Sequence, residues 1–134
     1  MVPHIVLEQF ASDCLVLLQR ALLTKTLSCF GADGNGQYGR HIFAKHFQVI
    51  DIDVTVNADS DDNLFGTAKI ALLGYNSADC GHVATDMNLK IAVNNALQSE
   101  YIHTDCWSWA PLEDQGSCYF TINFSPNKLL FGEP

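Results

Sequence analysis

The third residue of the chain is a proline, standing directly ahead of an apolar run, HIVLEQ, at 4–9. A proline with a free amine is a secondary amine, and an amine whose neutral form is populated near neutral pH can move protons. Burial or neighbouring cations would disfavour its charged form and so free the lone pair. Such a base also needs groups that hold its substrate and an apolar wall that excludes water. Here Met1 and Val2 precede Pro3, which makes its nitrogen an amide without a basic lone pair. Translation from the Val2 codon, if that codon is GTG in a bacterial source, followed by loss of the initiator methionine, would release the amine. A proline that merely opens a strand needs no such event, because the ladder hydrogen bond it cannot donate is not required there.

Other reactive side chains point to structure before chemistry. His41 and His46 lie five apart on a strand-like segment and so face opposite sides, which argues against a shared metal. The acidic string NADSDDN at 57–63 does not make a calcium loop: counted from Asn57, its sixth and twelfth places hold Asp62 and Ala68, where Gly and Glu are needed. It reads as a solvated turn. GADGNGQYG at 31–39 follows a helical pattern and lacks the lysine of a phosphate-binding loop, so it reads as a connector. The five cysteines, at 14, 29, 80, 106 and 118, form no C-x-x-C pair, and their odd count argues against a disulfide scaffold or a zinc site. Cys14, Cys29 and Cys80 are expected on helices as core residues. His4, His82 and His103 are read as structural or surface residues, and Trp107 and Trp109 as walls of a pocket or an interface. No metal and no cofactor is expected.

Composition narrows the classes. A chain of 134 residues with 48% hydrophobic residues is read as a single domain over 1–134. Net charge is −8, and the cations are Arg20, Arg40 and five scattered lysines. Nucleic-acid binding and polybasic membrane contact both need clustered positive charge, so neither is expected. No apolar run approaches the roughly 18 residues of a membrane span, and the start lacks a basic signal-peptide region. A cytoplasmic protein is expected. With 16% charged residues, part of the apolar surface is expected to lie under a partner subunit.

The elements that would position these residues follow from periodicity. HIVLEQ (4–9) reads as a short buried strand. From Ser12 to about Phe30, residues Cys14, Leu17, Leu18, Ala21 and Leu22 recur at helical spacing, with Ser12 or Asp13 available as a cap. In 41–58, Ile50, Ile52, Val54 and Val56 alternate with Asp51, Asp53 and Thr55, which predicts a strand with one wet face. An acidic turn at 59–63, a strand at 65–75 and a helix at 76–97 follow, the helix with Val83, Met87, Ile91 and Asn94 on one side. A strand within 101–114 alternates Cys106 and Ser108 against Trp107 and Trp109 and ends at Pro111; the last strand, 116–124, carries Phe120, Ile122 and Phe124 on one face. Leu129, Leu130 and Phe131 in the tail need a place to bury. The predicted order is β-α-β, then β-α-β-β, with each helix crossing between parallel strands.

Several strings, in order, resemble the 5-carboxymethyl-2-hydroxymuconate isomerases of the tautomerase superfamily. They are Pro3-His4-Ile5-Val6-Leu7-Glu8 at the start, Lys69-Ile70-Ala71-Leu72-Leu73-Gly74-Tyr75-Asn76-Ser77 before the second helix, and Ile122-Asn123-Phe124 followed by Asn127 and Leu130-Phe131 near the end. The resemblance implies an α+β fold of β-α-β units, with a four-stranded mixed sheet, two helices on one face and a short C-terminal strand. It implies a homotrimer with its active site at a subunit boundary. It also implies an isomerase in which Pro3 shuttles a proton between carbons of an unsaturated keto or enol carboxylic acid. The family's clamping arginines correspond most nearly to Arg40 and Lys45, with Tyr75 and Asn76 at the other rim, where an arginine is missing. The alternative expectation is a catalytically inactive trimer of the same fold that binds a small ligand or serves as an assembly module.

Overall fold

Pro3 opens a helix. α1 runs over His4–Leu22, with Pro3 at its N-cap at φ −61° and ψ 146°. The Pro3 carbonyl accepts the amides of Val6 at 3.0 Å and Leu7 at 3.2 Å. Proline suits this place because the first helical N–H groups have no intrahelical partner to lose. The computed structural model describes residues 1–33, 41–74, 83–110 and 118–132; for 29–33, 41–45 and 83–86 the backbone alone is described. The strand expected at 4–9 is thus the first turns of α1. An apolar run of that length fits a strand or a buried helix equally well. Leu7, Phe10 and Ala11 extend the spacing of the buried Cys14, Leu18, Ala21 and Leu22 back toward the N-terminus.

The helix expected to reach Phe30 stops at Leu22. Thr24 takes the left-handed conformation at φ 62°, and β1 (Thr26–Asp33) begins two residues later. The reason is local: Thr24 and Thr26 are β-branched, and Leu27 alternates inward between exposed Thr26 and Ser28. Cys29, expected on a helix, belongs to this strand.

That extra strand changes the topology. β1, β2 (His41–Ala58), β3 (Leu64–Leu73), β4 (Trp107–Trp109) and β5 (Tyr119–Phe124) form one sheet in the order β1-β2-β3-β5-β4. Every neighbouring strand pair is antiparallel. The fold class is α+β, but the expected four-stranded mixed sheet of β-α-β units is replaced by a five-stranded antiparallel sheet. Three helices pack on one face: α1, α2 (Val83–Ser99) and α3 (Pro126–Phe131). α1 lies along β2, and α2 lies along β1 and brings Lys90 Nζ to 5.5 Å from the Trp109 ring centre on β4.

Alternation divides the sheet into a dry and a wet face. Phe47, Val49, Ile52 and Val56 of β2, Ala68, Ile70 and Leu72 of β3, and Phe120, Ile122 and Phe124 of β5 all face the helices. Asp51, Asp53, Lys69 and Asn123 lie exposed on the other face, the one expected to meet neighbouring subunits. Ile50 leaves the expected inward row because the register steps from Val49↔Leu72 to Asp51↔Ala71, so that Ile50 is the extra residue of a bulge and is 52% exposed. α2 turns the other way from expectation: Leu89, Val93 and Leu97 are buried, while Met87 and Ile91 are exposed. Both sets have helical spacing, and only packing decides between them. The strand expected within 101–114 is shorter: Thr104–Cys106 is a 3-10 turn, and Trp107 and Trp109 alternate with exposed Ser108. The tail packs Leu129 and Leu130, both half-buried, against the core through α3, whose first turn is capped by the Ser125 side chain accepting the Lys128 amide at 3.3 Å, while Phe131 stays exposed.

Candidate functional site

Pro3 and Lys45, two of the residues expected to act together, lie at different ends of β2. Pro3 is exposed, and its nitrogen is the amide bonded to Val2. The Val2 amide donates to Asp62 Oδ1 at 3.1 Å, which places this end of α1 at the turn between β2 and β3. Lys45 pairs with Cys29 near the start of β2. From Lys45 to the Ala58 end, the strand rises about 40 Å at the usual ~3.3 Å per residue. Gly74 leaves β3 at the Lys45 end: a Cβ there would come to 2.9 Å from the His46 carbonyl oxygen. Arg40, Tyr75, Asn76, Cys80, His82 and Pro111 lie outside the described residues.

The surroundings of Pro3 are acidic. A cavity of about 550 Å³ there is lined by Met1, Val2, His4, Leu7, Ala58, Asp59, Ser60 and Asp62. Asp59 organises the turn, accepting the amides of Asp61 at 2.9 Å and Asn63 at 3.0 Å on Oδ1. Those bonds, the one to Asn63 foremost, hold its carboxyl below the ordinary value of 3.8. His4 is drawn to Glu8 at 2.8 Å. Carboxylates so close favour the charged form of an amine and repel a carboxylate substrate, the reverse of what a proton-shuttling proline requires.

A second pair of reactive groups escaped the sequence reading. Ser28 Oγ and His46 Nδ1 are 2.7 Å apart on the wet face, directly across from one another in β1 and β2. A nucleophile and base also need an orienting third group and oxyanion donors in a dry site. Both side chains are exposed, and no third group joins them among the described residues. They form a cross-strand polar pair. No group of three or more His, Cys, Asp or Glu among the described residues could hold a metal ion. Buried thiols are held unreactive: burial first, and Asp13 next, push Cys14 up to about 12. Burial and Asp105 also raise Cys106, which donates to the His103 carbonyl at 2.9 Å.

A further cleft has a topological cause. Pairing of β3 with β5 ends at Gly66↔Phe124, so Leu64 and Phe65 project past the end of β5. Ser125 does not follow them; its amide turns instead to the Cys106 carbonyl at 2.8 Å. The notch between is a cleft of about 510 Å³, built from β3, the 3-10 turn, β4 and β5. Its volume is comparable with the roughly 300–1,000 Å³ of small-ligand sites, but the cleft is shallow and largely open to solvent. Thr67, Asn123 and Ser108 form one cross-strand row along it. Thr67 Oγ1 donates to Asn123 Oδ1 at 3.3 Å, leaving the Asn123 amide and the Ser108 hydroxyl without partners among the described residues. Phe65, 48% exposed, supplies an aromatic wall. Trp107 contributes carbon surface; its Nε1 is out of solvent reach and has no partner among the described residues. The Phe124 ring closes the floor over Gly66, where a Cβ would come to 2.4 Å from Phe124 Cζ.

Comparison with known proteins gave no match to a family model, a curated protein or a solved structure. No described helix is long and apolar enough to cross a membrane.

Proposed function

We propose that this protein is a non-catalytic domain that binds a small ligand in the cleft at the end of β5. The observation that carries this reading is the cleft itself: about 510 Å³, framed by four elements, with the Ser108 hydroxyl and Asn123 amide unengaged on its wall. Rigid strands supply those groups, which keeps them in place before a ligand arrives. The isomerase reading, which rests on the resemblance, asks for a free Pro3 amine beside a carboxylate clamp. An acylated nitrogen and carboxylate neighbours weigh toward binding instead.

A filled cleft tests the proposal. Ser108 is exposed on a short edge strand, so Ser108→Trp is expected to fold and to occupy the cleft. In a fragment screen by saturation-transfer NMR, compounds that bind the wild-type chain are expected to lose their signal with Ser108→Trp. Fragments that bind both proteins equally, or no binders at all, would exclude this cleft as the functional site.

A further inference from the structure

The early end of β5 leaves main-chain groups, and not only side chains, facing the cleft. The Leu72 amide donates to the Cys118 carbonyl at 3.0 Å, so Leu72 turns its backbone groups toward the β5 side of β3. At the other end of β3 the Asn63 carbonyl accepts the Asp59 amide at 3.0 Å, so Asn63 turns toward β2. Backbone groups of successive residues in an antiparallel strand point to opposite neighbours. The pairing of β3 with β5 runs without a register shift. Both bonds therefore give one assignment: even-numbered residues of β3 direct N–H and C=O toward β5, odd-numbered ones toward β2. Pairing with β5 stops at Gly66↔Phe124. Leu64, two residues further, directs its N–H and C=O into the space that β5 has left, and no described residue bonds to them.

We infer that the cleft takes a short extended peptide segment, which pairs with the Leu64 main chain as an added strand; this inference rests on the binding reading above. An extended residue turns one N–H and one C=O toward the same neighbour, the complement of what Leu64 offers. The cleft is open, so a chain can enter and leave it. Phe65, 48% exposed on the wet face, gains a cross-strand neighbour when the segment docks. Charge then selects among peptides. No Lys, Arg or His lines the cleft, Asp105 does, and the turn that leads into Leu64 carries Asp59, Asp61 and Asp62. A segment with Lys or Arg beside its paired residues complements these carboxylates, whereas an acidic segment is repelled.

The test records amide shifts and hydrogen exchange of the full ¹⁵N-labelled chain with three blocked pentapeptides. These are acetyl-Lys-Thr-Val-Thr-Lys-amide; its counterpart with Glu at both ends; and the Lys peptide N-methylated at its three central residues, which keeps side chains and charge but removes the donors. The Lys peptide is expected to shift the amides of Leu64 and Gly66 in a saturable way and to slow exchange at Leu64. N-methylation is expected to weaken binding at least about threefold, the worth of one hydrogen bond. The Glu peptide is expected to bind less tightly than the Lys peptide. Gln48→Ala, on the wet face but outside the cleft, is expected to leave binding unchanged. Equal binding of the Lys peptide and its N-methylated form, or a Glu peptide that binds as well as the Lys peptide, would overturn the inference and leave the binding reading standing. Fragments that occupy the cleft in the screen above while no peptide does would have the same result. Leu64 shifts that grow with protein concentration alone would put a second copy in the cleft and overturn the inference as well. No cleft shift with any peptide or fragment would overturn both.

Discussion

Asp59 shows how a single side chain sets a turn. Its carboxylate accepts the amides of Asp61 and Asn63, and the Asn63 side chain donates to Oδ2 at 3.3 Å. These bonds favour the ionised form, so the folded pKa lies below the ordinary value of 3.8. The contribution to stability is therefore present above that value and is lost as pH falls through the lower, folded one. Thermal melts from about pH 5 down to about pH 2 are expected to show a steeper loss for wild type than for Asp59→Asn; parallel curves would mean that the turn bonds contribute nothing. Cys14 carries the opposite shift. With its pKa at about 12 and its side chain buried, it is expected to resist iodoacetamide in the native chain and to react once urea unfolds it. Peptide mass mapping after labelling reads both states. Gly66 is constrained by space: a methyl group would enter the Phe124 ring, and Gly66→Ala is expected to lose about 1–3 kcal/mol, the usual cost of overpacking. A chemical-denaturation midpoint unchanged from wild type would place the ring elsewhere.

At the scale of elements, α2 offers the sharpest contrast between sequence and structure. Met87 and Ile91 share a helical stripe as regular as that of Leu89, Val93 and Leu97, and only the second is buried. Leu97→Ala is expected to cost about 2–5 kcal/mol, whereas Ile91→Ala on the exposed side is expected to stay within about 0.5 kcal/mol. Reversed values in urea unfolding would turn the helix over. The same ambiguity explains which elements were legible in advance. β5 and most of β2 were, because strict alternation of Phe120, Ile122, Phe124 and of Ile52, Val54, Val56 has no helical counterpart. The turn at 59–63 was, because clustered Asp and Asn bond their own backbone. HIVLEQ was not, since a short apolar run carries no period. β1 was hidden because Leu27 and Phe30 lengthen the apolar count of α1, although Thr24, Lys25 and Thr26 between them mark the change of period. Ile50 could not be assigned, because a bulge is a property of two strands in register.

On the scale of the whole molecule, β2 decides what can meet what. It holds the α1 start and the acidic turn at one end and Lys45 at the other, so a Pro3-centred site with a Lys45 clamp does not assemble within one chain. Little of the candidate site was legible in the sequence. Ser108 and Asn123 are ordinary polar residues of separate strands, and only the end of β5 short of Leu64 and Phe65 turns them into one wall. Trp107 as a pocket wall was the part that composition could suggest. The most direct measurement of whether this is a binding domain or a proton-transfer enzyme is the rate of tautomerisation of an unsaturated enol carboxylate. It should be measured for the full chain, for a chain trimmed to begin at Pro3, and for the trimmed chain with Pro3→Ala. A binding domain is expected to give the buffer rate in all three. A rate that appears on trimming and vanishes with Pro3→Ala would contradict it and return Pro3 to the role of base.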